Sequence, residues 1–280
     1  MKKPKNMFLN IAVVLAIAWV FWVAILFVFQ GVVIFPRGMT HGTALEEPPP
    51  GAERLALTID DGEVHAWFLP GAGCSAQQSC GTILMFHGNG MNIDDWRGEA
   101  DWLSGLGWNV LLMEFRGYGV ADGTPSQAAL IEDAKSFIAL LADKPECDPD
   151  RLVYFGRSIG AALASILAVE HQPAGLVLQT PPASIASMAW GFGCPPFLVR
   201  HPFATETALG QLPALALLLI EHDDDEIISE AQRARVRAAA PDATLLVLRG
   251  GHNGLATYAE DQRFQAGVEA FLAQLNRPVE

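Results

Sequence analysis

Two glycines flank one serine at Gly156-Arg157-Ser158-Ile159-Gly160, between the apolar run Leu152–Phe155 and an Ala-rich stretch. The run before it reads as a buried strand and the stretch after it as a helix. Glycine is unfavourable inside either element, so both positions need a geometric reason. A sharp strand-to-helix turn provides one. The backbones come close together, the serine takes a strained conformation, and the residues two before and two after it must be tiny. The turn presents the hydroxyl at a helix amino terminus, where unpaired N–H groups favour a developing negative charge. A blander reading, in which Ser158 only caps a tightly packed helix, has to be weighed against the rest of the chain.

Other residues complete a pattern in chain order. "FHGNG", Phe86–Gly90, stands at the end of an earlier strand and would bring a second oxyanion donor. The expected donors are the backbone N–H groups of Asn89 and Ile159, with His87 shaping its own loop. "LLLIEHDDDEIIS" offers four competing carboxylates, Asp223, Asp224, Asp225 and Glu226; Asp225 is the choice and Asp224 the second. "LVLRGGHNGL" then places His252 just after the last strand. A serine hydroxyl needs a base, and the base an orienting acid. Ser158, Asp225 and His252 are therefore the candidate catalytic set. The cysteines lack zinc-site spacing, and neither a metal nor an organic cofactor is expected.

Around these motifs apolar strands alternate with helical stretches. "RLALTIDDGEVHAWFLP" reads as an antiparallel hairpin turning at Asp61-Gly62. Strands follow at 82–90, 109–119, 152–155, 174–180, "LALLLIE" and 244–248, with helices at 94–107, 126–143, after Ser158, at 230–240 and from about Tyr258 to Leu275. Unbroken apolar strands fit a sheet covered on both faces. The predicted fold class is α/β, a mostly parallel doubly wound sheet of about eight strands with an antiparallel N-terminal hairpin, preceded by one transmembrane helix.

On "FHGNG", "NVLLMEFRGYG" with "DGTPS", "FGRSIGA", "DDDEII" and "GGHN", the sequence resembles the α/β-hydrolase superfamily over about residues 54–276. It is most similar to membrane-anchored serine hydrolases of the α/β-hydrolase-domain-containing group. The resemblance implies acyl transfer to water: Ser158 attacks an ester or thioester carbonyl, His252 serves as base and then acid, and Asp225 orients the imidazole. Two departures blur any subgroup: Val120-Ala121-Asp122 stands where a serine is usual, and Ser229 where a proline often follows the acid. The insertion 181–211 would select the substrate, with Met188, Trp190 and Phe192 as candidate pocket residues and Phe197 and Phe203 beside them. These side chains fit a functional reading, lining an acyl pocket or dipping toward the bilayer, and a blander one, covering the sheet edge as ordinary core, about equally.

The amino terminus bears on location. After the basic tail 1–7, Phe8–Phe29 has Asn10 as its one strongly polar residue. Such a run makes roughly 33 Å of helix, against about 30 Å of hydrocarbon. It is too long for a cleaved secretory signal and reads as a signal anchor over 8–34, followed by a Pro/Gly linker over 35–53. Lys2, Lys3 and Lys5 precede it, which predicts a cytosolic amino terminus and a hydrolase domain, 54–280, on the other side, periplasmic in a bacterium. There Cys74–Cys80 would form a local disulfide and Cys147–Cys194 the remaining pair, with free thiols the alternative. The net charge of −13 argues against nucleic acid. The expected function is a membrane-tethered serine hydrolase acting on a small or lipid-like acyl substrate. A peptidase of the same fold and a non-catalytic scaffold are the alternatives.

Overall fold

The computed structural model describes residues 5–40, 42–43, 45, 47–253 and 261–275. Eight strands form one sheet: β1 (Glu53–Ile59), β2 (Gly62–Leu69), β3 (Cys80–Phe86), β4 (Asn109–Met113), β5 (Cys147–Arg157), β6 (Gly175–Gln179), β7 (Ala216–His222) and β8 (Thr244–Leu248). Their order is β1-β2-β4-β3-β5-β6-β7-β8. The β1–β2 and β2–β4 pairs are antiparallel and the others parallel. This is the mostly parallel sheet with an antiparallel edge expected from the sequence. The hairpin turns one residue earlier than predicted, because Ile59 pairs with Gly62 and leaves Asp60-Asp61 as the loop. The strand expected over 109–119 ends at Met113, where Glu114–Gly119 leaves the sheet as a loop.

The helices are α1 (Lys5–Ile34), α2 (Arg97–Gly105), α3 (Gln127–Ala142), α4 (Ile159–Glu170), α5 (Ile185–Met188), α6 (Thr205–Leu209), α7 (Glu230–Ala239) and α8 (Gln262–Leu275). The first turn predicted for α8, from Tyr258, lies outside the described residues. Helix α3 starts where Ser126 Oγ accepts from Ala129 N at 3.1 Å, satisfying one of its free N–H groups.

Alternation explains why the central strands are largely apolar on both faces, whereas the edge strands β1 and β8 are mostly exposed. Leu84, Phe86, Tyr154, Leu176, Leu178 and Leu219 face α3, α4 and α7. Their neighbours Ile83, Met85, Val153, Phe155, Val177 and Leu218 face α2 and α8. Both faces are covered, so neither set tolerates polar residues. Each such side chain buried from water stabilises by roughly 1.5–3 kcal/mol.

Helix α1 is long and apolar enough to cross a membrane over Met7–Ile34. The stretch read as a linker begins inside the fold. Phe35 is buried, edge-on to His201 at 5.3 Å and to Phe203 at 6.0 Å.

Cys74 and Cys80 are disulfide-bonded, as expected. The second pairing is corrected: Cys147 and Cys194 are both free and buried. Cys147 opens β5, whereas Cys194 lies in the insertion over the opposite end of that strand, beside Ser158. A bridge needs Cα atoms within about 7 Å, which the length of β5 forbids. Thiol titration of the denatured, unreduced protein should therefore count two thiols per chain, rising to four after reduction. A count of zero before reduction would restore the second bridge.

Candidate active site

Strand β5 ends at Arg157 and α4 begins at Ile159, so Ser158 alone makes the turn, at φ 53° and ψ −117°. A positive φ is strained for a residue with a Cβ and persists only when its surroundings hold it. Ser158 N donates to Gln179 O at 2.8 Å, and Ser158 O accepts from Ala161 N at 3.0 Å. The glycines allow this closeness. A Cβ on Gly160 would collide with the carbonyl oxygens of Phe86 and His87, and one on Gly156 with the backbone of Gly160.

The three candidates, far apart in sequence, meet here. His252 Nε2 lies 3.1 Å from Ser158 Oγ, and His252 Nδ1 lies 2.9 Å from Asp225 Oδ2. The other oxygen of Asp225 accepts from Ile227 N at 2.9 Å and Ile228 N at 2.6 Å. Burial works to raise the Asp225 pKa, but the bonds from His252 and these two amides outweigh it and hold the carboxyl below its ordinary value. It stays ionised, which suits a group that orients an imidazole and steadies its cation.

The neighbouring acids have work of their own. Asp223 accepts from Gly250 N at 3.1 Å, and Glu226 accepts from His252 N at 2.7 Å. Arg157, buried between the two loops, donates to His252 O at 2.7 Å. The acidic run thus clamps the histidine loop at three points. Sequence reasoning missed Glu226 and Arg157 as positioning groups. Glu226 was visible as one of four competing acids; Arg157 carried no signal, since any residue fits its place in the motif.

Asn89 and Ile159 both line the cavity beside Ser158. Ile159 N opens α4, where no intrahelical acceptor exists. The Asn89 loop is firmly held: its side chain accepts from Tyr118 OH at 2.7 Å and donates to Ile34 O at 2.8 Å. His87 sits beneath it with Nε2 2.9 Å from Glu114 Oε1 and its ring stacked on Phe115 at 3.9 Å, the loop-shaping place expected of it.

The cavity over Ser158 has a volume of about 350 Å³. Met188 and Phe192 line it as predicted. Trp190 does not: it is 63% exposed on the outer side of the insertion, because the 189–192 turn points it away. Four residues of α1, Leu26, Gln30, Val33 and Ile34, form part of the wall. The apolar residues Leu26, Val33 and Ile34 carried no signal in the sequence; Gln30, polar near the end of an apolar run, was the one hint of a docked face. Arg157, His252 and the thiol of Cys194 are the ionisable side chains among the described lining residues, and none is a carboxylate. No cluster of His, Cys, Asp and Glu suited to a metal occurs among the described residues.

Comparisons with known proteins agree with this architecture. The profile of the family described as "Serine aminopeptidase, S33" matches residues 77–201. The uncharacterized protein YfhR of Escherichia coli O157:H7 is 30% identical over 89% of this chain and 87% of its own length. The alpha/beta hydrolase domain-containing protein WAV2 of Arabidopsis thaliana is 30% identical over 62% of each chain. Among solved structures, the Pyrococcus furiosus esterase Pf2001 superimposes with a TM-score of 0.64 at 19% identity, over 84% of this chain and 97% of that one.

The lowered pKa of Asp225 has a definite sign in stability. A depressed carboxyl contributes fully above its unfolded value, ordinarily 3.8, and the contribution is lost as pH falls through the folded value. Urea denaturation should give a stability gap between wild type and Asp225→Asn that is constant above roughly pH 5 and shrinks on further acidification. A gap that widens in acid would contradict the ionised assignment.

Proposed function

The chain belongs to the α/β-hydrolase superfamily and is a hydrolase, and on that premise we propose that it is a membrane-tethered serine hydrolase cleaving an ester or thioester of a lipophilic acyl group. The observation that carries this reading is the unbroken chain of hydrogen bonds Ser158–His252–Asp225 opening into an apolar cavity.

In the proposed reaction, His252 Nε2 takes the proton of Ser158 Oγ as the oxygen attacks the acyl carbonyl. The N–H groups of Asn89 and Ile159 receive the oxyanion, which needs no rearrangement because both backbones are already fixed. His252 passes its proton to the leaving oxygen or sulfur. Water then repeats the sequence on the acyl-enzyme, and the acid product leaves. Asp225 holds Nδ1 as the donor throughout and offsets the charge of the imidazolium.

The family description raises an aminopeptidase as the second reading. Recognition of a free α-ammonium calls for an anionic partner, and no carboxylate lies among the described cavity residues. An uncharged acyl chain suits these walls better. Tethering is supported by the length and composition of α1. A cytosolic amino terminus, with the hydrolase domain across the membrane, is supported by Lys2, Lys3 and Lys5 and by the Cys74–Cys80 disulfide, which belongs to oxidising compartments.

The test is covalent labelling by a fluorophosphonate. Wild type should label strongly, and Ser158→Ala and His252→Ala should not. Asp225→Asn should lower turnover of p-nitrophenyl butyrate by about 10³–10⁴-fold. Labelling that survives Ser158→Ala would place the nucleophile elsewhere, and a folded wild type that never labels would end the enzyme reading.

A further inference from the structure

Helix α1 is longer than a membrane requires. Its apolar stretch Met7–Ile34 has 28 residues. That is about 42 Å, some 12 Å more than a hydrocarbon core of about 30 Å. The excess is docked on the hydrolase domain. Gln30, a buried polar residue near the end of the helix, donates from Nε2 to Leu198 O at 3.2 Å and accepts at Oε1 from Arg200 N at 2.6 Å. Asn89, on the loop expected to hold the oxyanion, bonds the last carbonyl of α1 at Ile34.

Arg200 sets the level of the membrane surface. Its guanidinium donates to Phe27 O at 3.1 Å and lies 5.2 Å over the Phe27 ring. A guanidinium rests at the headgroups rather than among the chains. From Met7 to Phe27 is about 30 Å of helix, the thickness of the hydrocarbon. Contacts with the insertion nevertheless continue below that level. Trp22 Nε1 donates to Phe192 O at 2.8 Å, and Trp19 Nε1 to Gly193 O at 2.9 Å. These lie five and eight residues before Phe27, roughly 8–12 Å deeper.

The tip of the insertion is therefore at the depth of the acyl chains, and its composition suits that. No charged residue occurs from Pro181 to Val199. Trp190, Phe192 and Phe197 are 63%, 65% and 84% exposed on a protein whose net charge is −13. The cavity follows α1 from Leu26, at the edge of the hydrocarbon, to Ile34, bonded to the Asn89 loop.

We propose that α1 is a wall of the substrate cavity as well as an anchor, and that the insertion tip sits in the bilayer so that the cavity takes an acyl chain sideways from the leaflet on the hydrolase side. The substrate is then a bilayer-resident acyl ester. This inference rests on the serine-hydrolase reading for its chemistry but not for its geometry.

The experiment uses full-length protein in phosphatidylcholine vesicles, comparing p-nitrophenyl palmitate dissolved in the bilayer with p-nitrophenyl butyrate supplied from water. Trp190→Glu places a charge in the tip without touching the cavity; it should lower the palmitate-to-butyrate ratio about tenfold or more, with butyrate cleavage reporting an intact fold and nucleophile. Leu26→Trp, which fills the cavity from the anchor side, should lower the same ratio. Separately, phosphatidylcholine brominated on its chains should quench the fluorescence that Trp190→Phe removes. Unchanged ratios in both variants, or an unquenched Trp190, would overturn the proposal. Loss of both ester activities in wild type would instead defeat the serine-hydrolase reading, and the quenching would still decide where the tip lies.

Discussion

The close approach of α4 to the end of β3 is the constraint on which the site depends. Gly160 rests against the carbonyl oxygens of Phe86 and His87, with no room for a Cβ. One contact sets three things. It forces Ser158 into its strained turn, brings the Asn89 loop alongside the start of α4, and puts both under one cavity. The strain at Ser158 is local and of order 1–3 kcal/mol. It is sustained by the buried β3–β5 pairing from Thr82–Leu152 to Phe86–Gly156, which cannot shift without exposing apolar side chains on both faces.

A second constraint acts on the histidine. His252 sits on a loop between β8 and α8, and a loop does not hold an imidazole to hydrogen-bond accuracy by itself. Here the neighbouring loop after β7 does so. Asp225 grips the ring, Glu226 the His252 N–H, and Asp223 the Gly250 N–H, while Arg157 grips the His252 carbonyl from the turn. Packing four acids in succession, Asp223 to Glu226, costs mutual repulsion. Asp223, Asp225 and Glu226 each have donors of their own, which offsets that repulsion.

Helix α1 shows how polar groups in an apolar segment report what it touches. Trp19, Trp22 and Gln30 carry its donors toward the insertion, and all find backbone partners there. An unpaired amide in hydrocarbon is costly, so these three side chains orient the helix about its axis. Val23, Gln30 and Ile34 are buried on the same side, and Leu26 and Val33 look into the cavity.

Much of this was written in the chain. The glycine spacing around Ser158, the unbroken apolar strands and the order of serine, acid and histidine determine the sheet, the turn and the candidate set, because each rests on local sterics or on periodic burial. Tertiary structure alone decided the rest. It selected Asp225 among four acids, since only the path of the loop after β7 says which carboxylate meets an imidazole 27 residues away. It kept Cys147 and Cys194 apart, because Cys147 opens β5 while Cys194 lies in the insertion over that strand's other end. It turned Trp190 outward and set Leu26, Gln30, Val33 and Ile34 into the cavity wall. Hydrophobicity says that a residue leaves water; what it meets there depends on chain segments far away in sequence.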